Sequence, residues 1–372
     1  MVSFKLLALG LSACLTAASP VPPPVPVPVP EAFRLSVRDD RPFNASLPNV
    51  TIFATGGTIA GSAASSDQTT GYQAGALGVD VLIDAVPQLW NVSNVRGVQV
   101  ANVGSPSITP AILLNLTRQV QGALDDPACA GVVVTHGTDT LEESAFFLDL
   151  TLRSEKPVVV VGAMRPATAI SADGPMNLLA AVTVAADPAA RGRGAMIVLN
   201  DRISSAYFTT KTNANSLDTF RSAEQGFLGF FVDIQPKFYS TPSLPLGRPY
   251  FDVAGEYMSL PEVDILYGHE ALNPALAEAA VQSGAKGLVL AGMGAGGWTD
   301  PGNEVIERLV KDNGTAVVYS RRPADGYVEP TGSVGYGGGF LNPQKARIML
   351  QLALNAGYGD AQLRQIFEFN SL

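Results

Sequence analysis

Two β-branched runs in this chain end in clusters rich in glycine and hydroxyl groups, and no other feature restricts its fold as tightly. Val50-Thr51-Ile52-Phe53-Ala54 leads into Thr55-Gly56-Gly57-Thr58-Ile59-Ala60-Gly61, and Val132-Val133-Val134 leads into Thr135-His136-Gly137-Thr138-Asp139-Thr140. A near-continuous valine run, rather than an alternating one, marks a strand buried on both faces of a parallel sheet. Each cluster sits where such a strand hands over to a helix. Ligands of open α/β sheets bind outside the carboxyl ends of strands, so both clusters should face one crevice. Two threonines presented together, with an Asp beside one of them, point to covalent chemistry on an acyl group.

The same alternation continues along the 372 residues. Apolar runs at 50–54, 98–103, 131–135, 158–163 and 195–200 are interleaved with helical stretches near 80–90, 110–124, 141–152 and 175–186. This predicts a two-domain α/β protein, the larger N-terminal domain (47–231) being a doubly wound, flavodoxin-like parallel sheet. Pro236, Pro242, Pro245 and Pro249 mark 232–250 as a linker. A smaller C-terminal α/β domain (251–372) follows, with strands at 263–267, 287–291 and 315–319 and a buried helix at about 342–356.

Ahead of this body, residues 1–19 read as a secretory signal: Lys5, the apolar stretch Leu6 to Ala18, and the small-residue exit Ala17-Ala18-Ser19. That stretch is too short to cross a bilayer, and no later segment qualifies. Residues 20–46 form a flexible arm whose Val21–Pro30 portion alternates proline and valine as an extended spacer. Asn44, Asn49, Asn91, Asn115 and Asn313 open N-x-Ser/Thr sequons, which predicts a glycoprotein. Cys14 leaves with the signal and Cys129 remains alone before a strand, where it is expected to pack rather than react. A net charge of −9 and a pI near 4.8 argue against nucleic acid and anionic membranes as partners.

A threonine hydroxyl is a poor nucleophile at its free pKa and needs a base within hydrogen-bonding reach. Two bases are open on the residues alone. His136 begins the second cluster, where it can equally be a satisfied packing group. Lys211, in Thr209-Thr210-Lys211-Thr212-Asn213, can accept a proton through a threonine hydroxyl with Asp139 orienting it. Gly56-Gly57 lacks the full spacing of a dinucleotide loop and the lysine of a P-loop. Its glycines instead let a substrate approach backbone N–H groups closely, as an oxyanion site requires.

Six collinear segments resemble the motifs of the bacterial-type L-asparaginases, most closely the secreted (type II) branch, with a fungal source the expectation. They are the two clusters together with Val161-Gly162-Ala163-Met164-Arg165-Pro166, Ser171-Ala172-Asp173-Gly174-Pro175, Thr210-Lys211-Thr212-Asn213 and Leu341-Asn342-Pro343-Gln344-Lys345-Ala346-Arg347. The resemblance runs from about Leu47 to the C-terminal end. It implies an amidohydrolase that converts L-asparagine, and possibly L-glutamine, to the acid and ammonia without metal or cofactor, assembled as a homotetramer. Thr55 would be the nucleophile, Tyr72 its activator, and Thr138, Asp139 and Lys211 a second triad. Ser105 and Asp139 would hold the substrate's α-carboxylate and α-amino group, with Thr138 beside them. The Ala163 carbonyl would receive the leaving amide, and Glu329 would reach Tyr72 or substrate from a neighbouring subunit. Two positions depart from the family pattern: Pro106 follows Ser105 where Gln or Glu is usual, and Ala295 stands where the family has asparagine. Losing two polar contacts predicts a reduced affinity, a changed preference between asparagine and glutamine, or another small amide as substrate. A weakly active, amino-acid-binding secreted glycoprotein is the alternative.

Overall fold

The computed structural model describes residues 43–68, 71, 73–255, 258–330 and 334–368; the expected signal, most of the arm and Tyr72 lie outside the described residues. An eight-stranded sheet forms the larger layer. Five of its strands are parallel: β1 (Asn49–Gly56), β2 (Asn94–Val103), β3 (Cys129–Thr135), β4 (Val158–Val161) and β5 (Ala195–Leu199). They lie in the order β2-β1-β3-β4-β5. That is the flavodoxin-like order, whose topological switch falls between β1 and β3.

The pleat of these strands explains why they are apolar on both sides. Ile52, Ala54, Val133, Val159 and Val161 face one core, shared with Leu178, Ala181 and Val182 of helix α4 (Gly174–Ala186). Phe53, Val132, Val134, Val158 and Val160 face the opposite core. There they meet Leu116 and Val120 of α2 (Pro110–Asp125) and Leu141, Ala145 and Leu148 of α3 (Leu141–Thr151). Successive residues therefore bury against different helix layers, which demands the continuous valine runs. The short α1 (Val79–Asp84) stops before Pro87, and a 3-10 turn at Pro87–Asn91 completes what the sequence suggested as one helix.

Beyond β5 the sheet turns antiparallel through β6 (Arg202–Ser205), β9 (Gly229–Val232) and β10 (Gln235–Phe238). Between them lies a separate two-residue pair, β7 (Thr210–Lys211) with β8 (Phe220–Arg221). The stretch 232–250, expected as linker, thus starts inside the sheet. Pro236 is accommodated because β10 is the outermost strand, where a missing N–H need not break the ladder.

A second, four-stranded sheet runs β11 (Val263–Tyr267), β12 (Gly287–Gly292), β13 (Ala316–Arg321) and β14 (Tyr336–Gly337), all parallel. Helices α5 (Ala275–Gln282), α6 (Asp300–Asn313), α7 (Pro343–Asn355) and α8 (Asp360–Phe367) accompany it. The two sheets share α3. While Leu141 and Leu148 belong to the large-sheet core, Phe146, Phe147 and Leu150 pack with Ala346 and Met349 of α7 and with Val289 and Val318.

A buried ion pair fastens the segment after β10 to α3. Asp149 Oδ1 accepts the Ala195 N–H at 2.7 Å, and its Oδ2 accepts Arg248 Nε at 2.8 Å. Phe251 N–H donates to the Leu150 carbonyl just beyond, at 2.8 Å. Removing one partner of a buried pair leaves the other uncompensated, so Asp149→Ala should lower the unfolding free energy by about 3–5 kcal/mol. Urea denaturation measures this, and a loss below about 1 kcal/mol would show that the pair does not hold the segment.

Candidate active site

Thr55 and the second cluster sit at the carboxyl ends of β1 and β3, on the two sides of the switch point. What brings them together is backbone packing. Gly57 adopts φ +82°, and a Cβ placed on it would lie 2.2 Å from the Gly137 nitrogen. Only a residue without a side chain permits that approach. Thr55 is buried, and its Oγ1 donates to the Thr135 carbonyl at 2.9 Å.

The neighbouring loops close around this contact. Ser105 lies in a 3-10 turn directly after β2. A Cβ on Gly137 would come within 2.8 Å of its Oγ, and Thr140 Oγ1 donates to the Ser105 carbonyl at 2.9 Å. The loop after β4 approaches from the other side: a Cβ on Gly162 would meet Thr138 Cγ2 at 3.0 Å. Ala163 follows, fully buried. Asp173 fixes that loop by accepting the Met164 and Arg165 N–H groups, each at 2.9 Å.

Lys211 enters from β7. Its Nζ donates to Thr138 Oγ1 at 3.1 Å and to Asp139 Oδ1 at 2.8 Å. The lysine side chain is 15% exposed and the aspartate 65% exposed. A sheltered ammonium therefore underlies a carboxylate open to an incoming molecule, and the same ammonium touches both candidate side chains.

His136 does not take part in this arrangement. It is fully buried, with its Nδ1 at 2.8 Å from the Gly137 carbonyl and its Nε2 at 2.8 Å from Ser144 Oγ. The partners assign Nδ1–H as donor and Nε2 as acceptor of the serine proton. Burial pulls the imidazole pKa down to about 4, so the ring is neutral near pH 7. Of the two bases open in the sequence, Lys211 is the one beside a threonine hydroxyl.

Glu329 stands apart. It is exposed on the loop between β13 and β14, and no hydrogen bond joins it to Thr55, Thr138, Asp139 or Lys211. Pro106 and Ala295 are also exposed. Among the described residues, no group of three or more His, Cys, Asp or Glu side chains gathers as a metal site.

Two participants escaped the sequence reading. Glu142, in the first turn of α3, is 3% exposed and receives hydrogen bonds from Thr210 of β7 and from Asn342 at the head of α7. Lys345 is 2% exposed, and its Nζ donates to the carbonyls of Ala206, Tyr207 and Thr209 at 2.8, 3.0 and 2.6 Å. Burial draws its pKa down to about 8. The signal available was the segment Asn342-Pro343-Gln344-Lys345, a polar patch heading an otherwise apolar helix.

Comparison with known proteins places this arrangement. The model of the N-terminal asparaginase domain matches residues 49–244, and that of the glutaminase/asparaginase C-terminal domain matches 262–367. The chain belongs to the asparaginase family. Among its relatives, probable L-asparaginase 3 of Schizosaccharomyces pombe is 58% identical over 89% of this chain and 92% of that protein. L-asparaginase 2-3 of Saccharomyces cerevisiae is 53% identical over 90% of this chain and 92% of its own length. A crystal structure described as a probable cytoplasmic L-asparaginase from Campylobacter jejuni superposes with a TM-score of 0.82. It shares 42% identity and covers 86% of this chain and 99% of its own.

The buried His136 sets a pH dependence of stability in this asparaginase-family fold. Its folded pKa of about 4 lies below the ordinary 6.5, so the unfolded chain binds the proton more readily. The stability it allows is complete above pH 6.5 and is lost as pH falls towards 4, by about 3 kcal/mol in all. Urea midpoints of wild type and His136→Gln between pH 7 and pH 4 should converge as pH falls. Parallel curves would contradict this.

Proposed function

We propose that the protein hydrolyses the side-chain amide of L-asparagine to L-aspartate and ammonia through an acyl-enzyme on Thr55. The observation that carries this reading is Lys211 Nζ bridging Thr138 Oγ1 and Asp139 Oδ1 beside the crevice where Thr55 ends β1. The names of the relatives, L-asparaginases in fission and budding yeast, support the substrate.

In this account Thr55 Oγ gives up its bond to the Thr135 carbonyl and attacks the carboxamide carbon. Backbone N–H groups at the two glycine clusters stabilise the tetrahedral oxyanion. The carbon–nitrogen bond breaks, the leaving nitrogen takes the proton that the Thr55 hydroxyl gave up on attack, and ammonia departs past the Ala163 carbonyl. Water then attacks the ester, aided by Thr138 and Lys211, and regenerates the threonine hydroxyl. Ser105 and the open Asp139 carboxylate hold the α-carboxylate and α-amino group. Tyr72 activates Thr55, and Glu329, exposed on its loop, acts from a neighbouring subunit of a homotetramer.

The reading extends to location. Residues 1–19 would direct secretion, with the sequons at Asn44, Asn91 and Asn313 on the exposed surface. Asn49, whose Nδ2 donates to the Ala128 carbonyl at 3.0 Å, is not free to carry glycan. The Campylobacter relative is described as cytoplasmic, so fractionation of the expressed full chain decides this part.

Ammonia release from asparagine and from glutamine tests the catalytic proposal. Thr55→Ala should lower kcat by roughly 10^4-fold or more, and Lys211→Met by about 10^2–10^4-fold. Pro106 and Ala295 should raise KM rather than abolish turnover. Undiminished activity in Thr55→Ala, or binding of asparagine without turnover by the intact protein, would sink the proposal.

A further inference from the structure

Residues 207–211 carry Lys211 to the crevice, yet they lie beyond the large sheet's last strand-to-strand bond, Ala206 N–H to the Ala195 carbonyl, and β7 is two residues long and pairs with β8. A lysine reaches its target through a flexible four-carbon stem, so where its backbone sits decides whether Nζ meets two acceptors or none. A two-residue pairing alone is a weak hold on that backbone.

We propose that Glu142 is a positioning residue that clamps the backbone of Lys211, and that the C-terminal sheet's helix α7 locks the clamp. This rests on the assignment of Lys211 to the catalytic triad. Glu142 Oε2 accepts the Lys211 N–H, and Oε1 accepts Thr210 Oγ1 at 2.9 Å. From the head of α7, Asn342 Nδ2 donates to the same Oε1 at 3.2 Å, and Gln344 Nε2 donates there too. Asn342 Nδ2 also lies 3.3 Å from Thr210 Oγ1. The three donated bonds from the side chains and the one from the backbone N–H satisfy a carboxylate that is 3% exposed.

The geometry has a particular economy. Glu142 follows Thr138 and Asp139 by four and three residues, in the segment that supplies the two acceptors of Lys211 Nζ. One stretch of chain therefore grips the lysine at its backbone and at its ammonium. Lys345 braces the approach by holding the carbonyls of Ala206, Tyr207 and Thr209. A buried carboxylate is expensive unless fully hydrogen-bonded. If Glu142 served only to cement two domains, apolar packing would do so without that penalty; four donors converging beside the lysine fit a need for exact placement.

Glu142→Gln keeps the shape but sets an NH2 group against donors. A misplacement of about 1 Å can cost 10^2-fold, so kcat for asparagine should fall by roughly ten- to a hundredfold, with KM within about threefold. The readout that a merely structural role would not move is coupling to Lys211. In a Lys211→Met background, Glu142→Gln should cause little further loss of kcat. Gln344→Ala, which removes one donor and leaves the carboxylate, should show a smaller loss with the same coupling and serves if Glu142→Gln does not fold. A large Lys211→Met effect with losses that multiply independently would overturn the clamp alone. Full activity of Lys211→Met would overturn the triad assignment and the clamp with it.

Discussion

The contact on which the rest of the site depends is between two backbones. Gly57 and Gly137 approach so closely that a single Cβ on Gly57 would overlap the Gly137 nitrogen. This approach occurs at the β1/β3 switch point, where helices leave the sheet on opposite faces and a crevice opens without further design. Through it Thr55 comes to rest on the last carbonyl of β3, and the Ser105 turn and the Ala163 loop pack around the same spot. The crevice is thus a consequence of strand order, and its chemistry is a consequence of which residues end the strands.

Helix α3 couples that crevice to the C-terminal sheet. It is buried along nearly its whole length because it serves two cores, one under the large sheet and one against α7. Such a helix has no solvent face on which to leave charged groups. Asp149 is accordingly paired with Arg248, and Glu142 is saturated by donors from β7 and the head of α7. The second sheet therefore has a role beyond burying apolar surface: it helps fix the lysine that faces Thr138 and Asp139.

Much of the fold was legible because its causes are local. The valine runs of β3 and β4 announce strands buried on both faces, and the clusters that follow announce turns at strand ends. Misjudged boundaries also have physical reasons. β2 starts at Asn94 rather than near 98 because it is an outer strand, half-buried along its length, so Arg96 and Gly97 fit within it. Pro236 reads as a chain breaker but sits on the sheet's edge. The partners of buried charge were not legible. Glu142 and Asn342 are 200 residues apart, and only the packing of α3 against α7 makes them neighbours. His136 shows the converse: a common catalytic residue type, in the second glycine-hydroxyl cluster, whose two nitrogens are spent on Gly137 and Ser144.

The central claim is that Thr55, rather than Thr138, carries the acyl group. Acid quenching during turnover of asparagine, followed by peptide mass spectrometry, reads this directly. An aspartyl ester is expected on the peptide containing Thr55, absent from Thr55→Ala. An ester on the peptide containing Thr138 would contradict it.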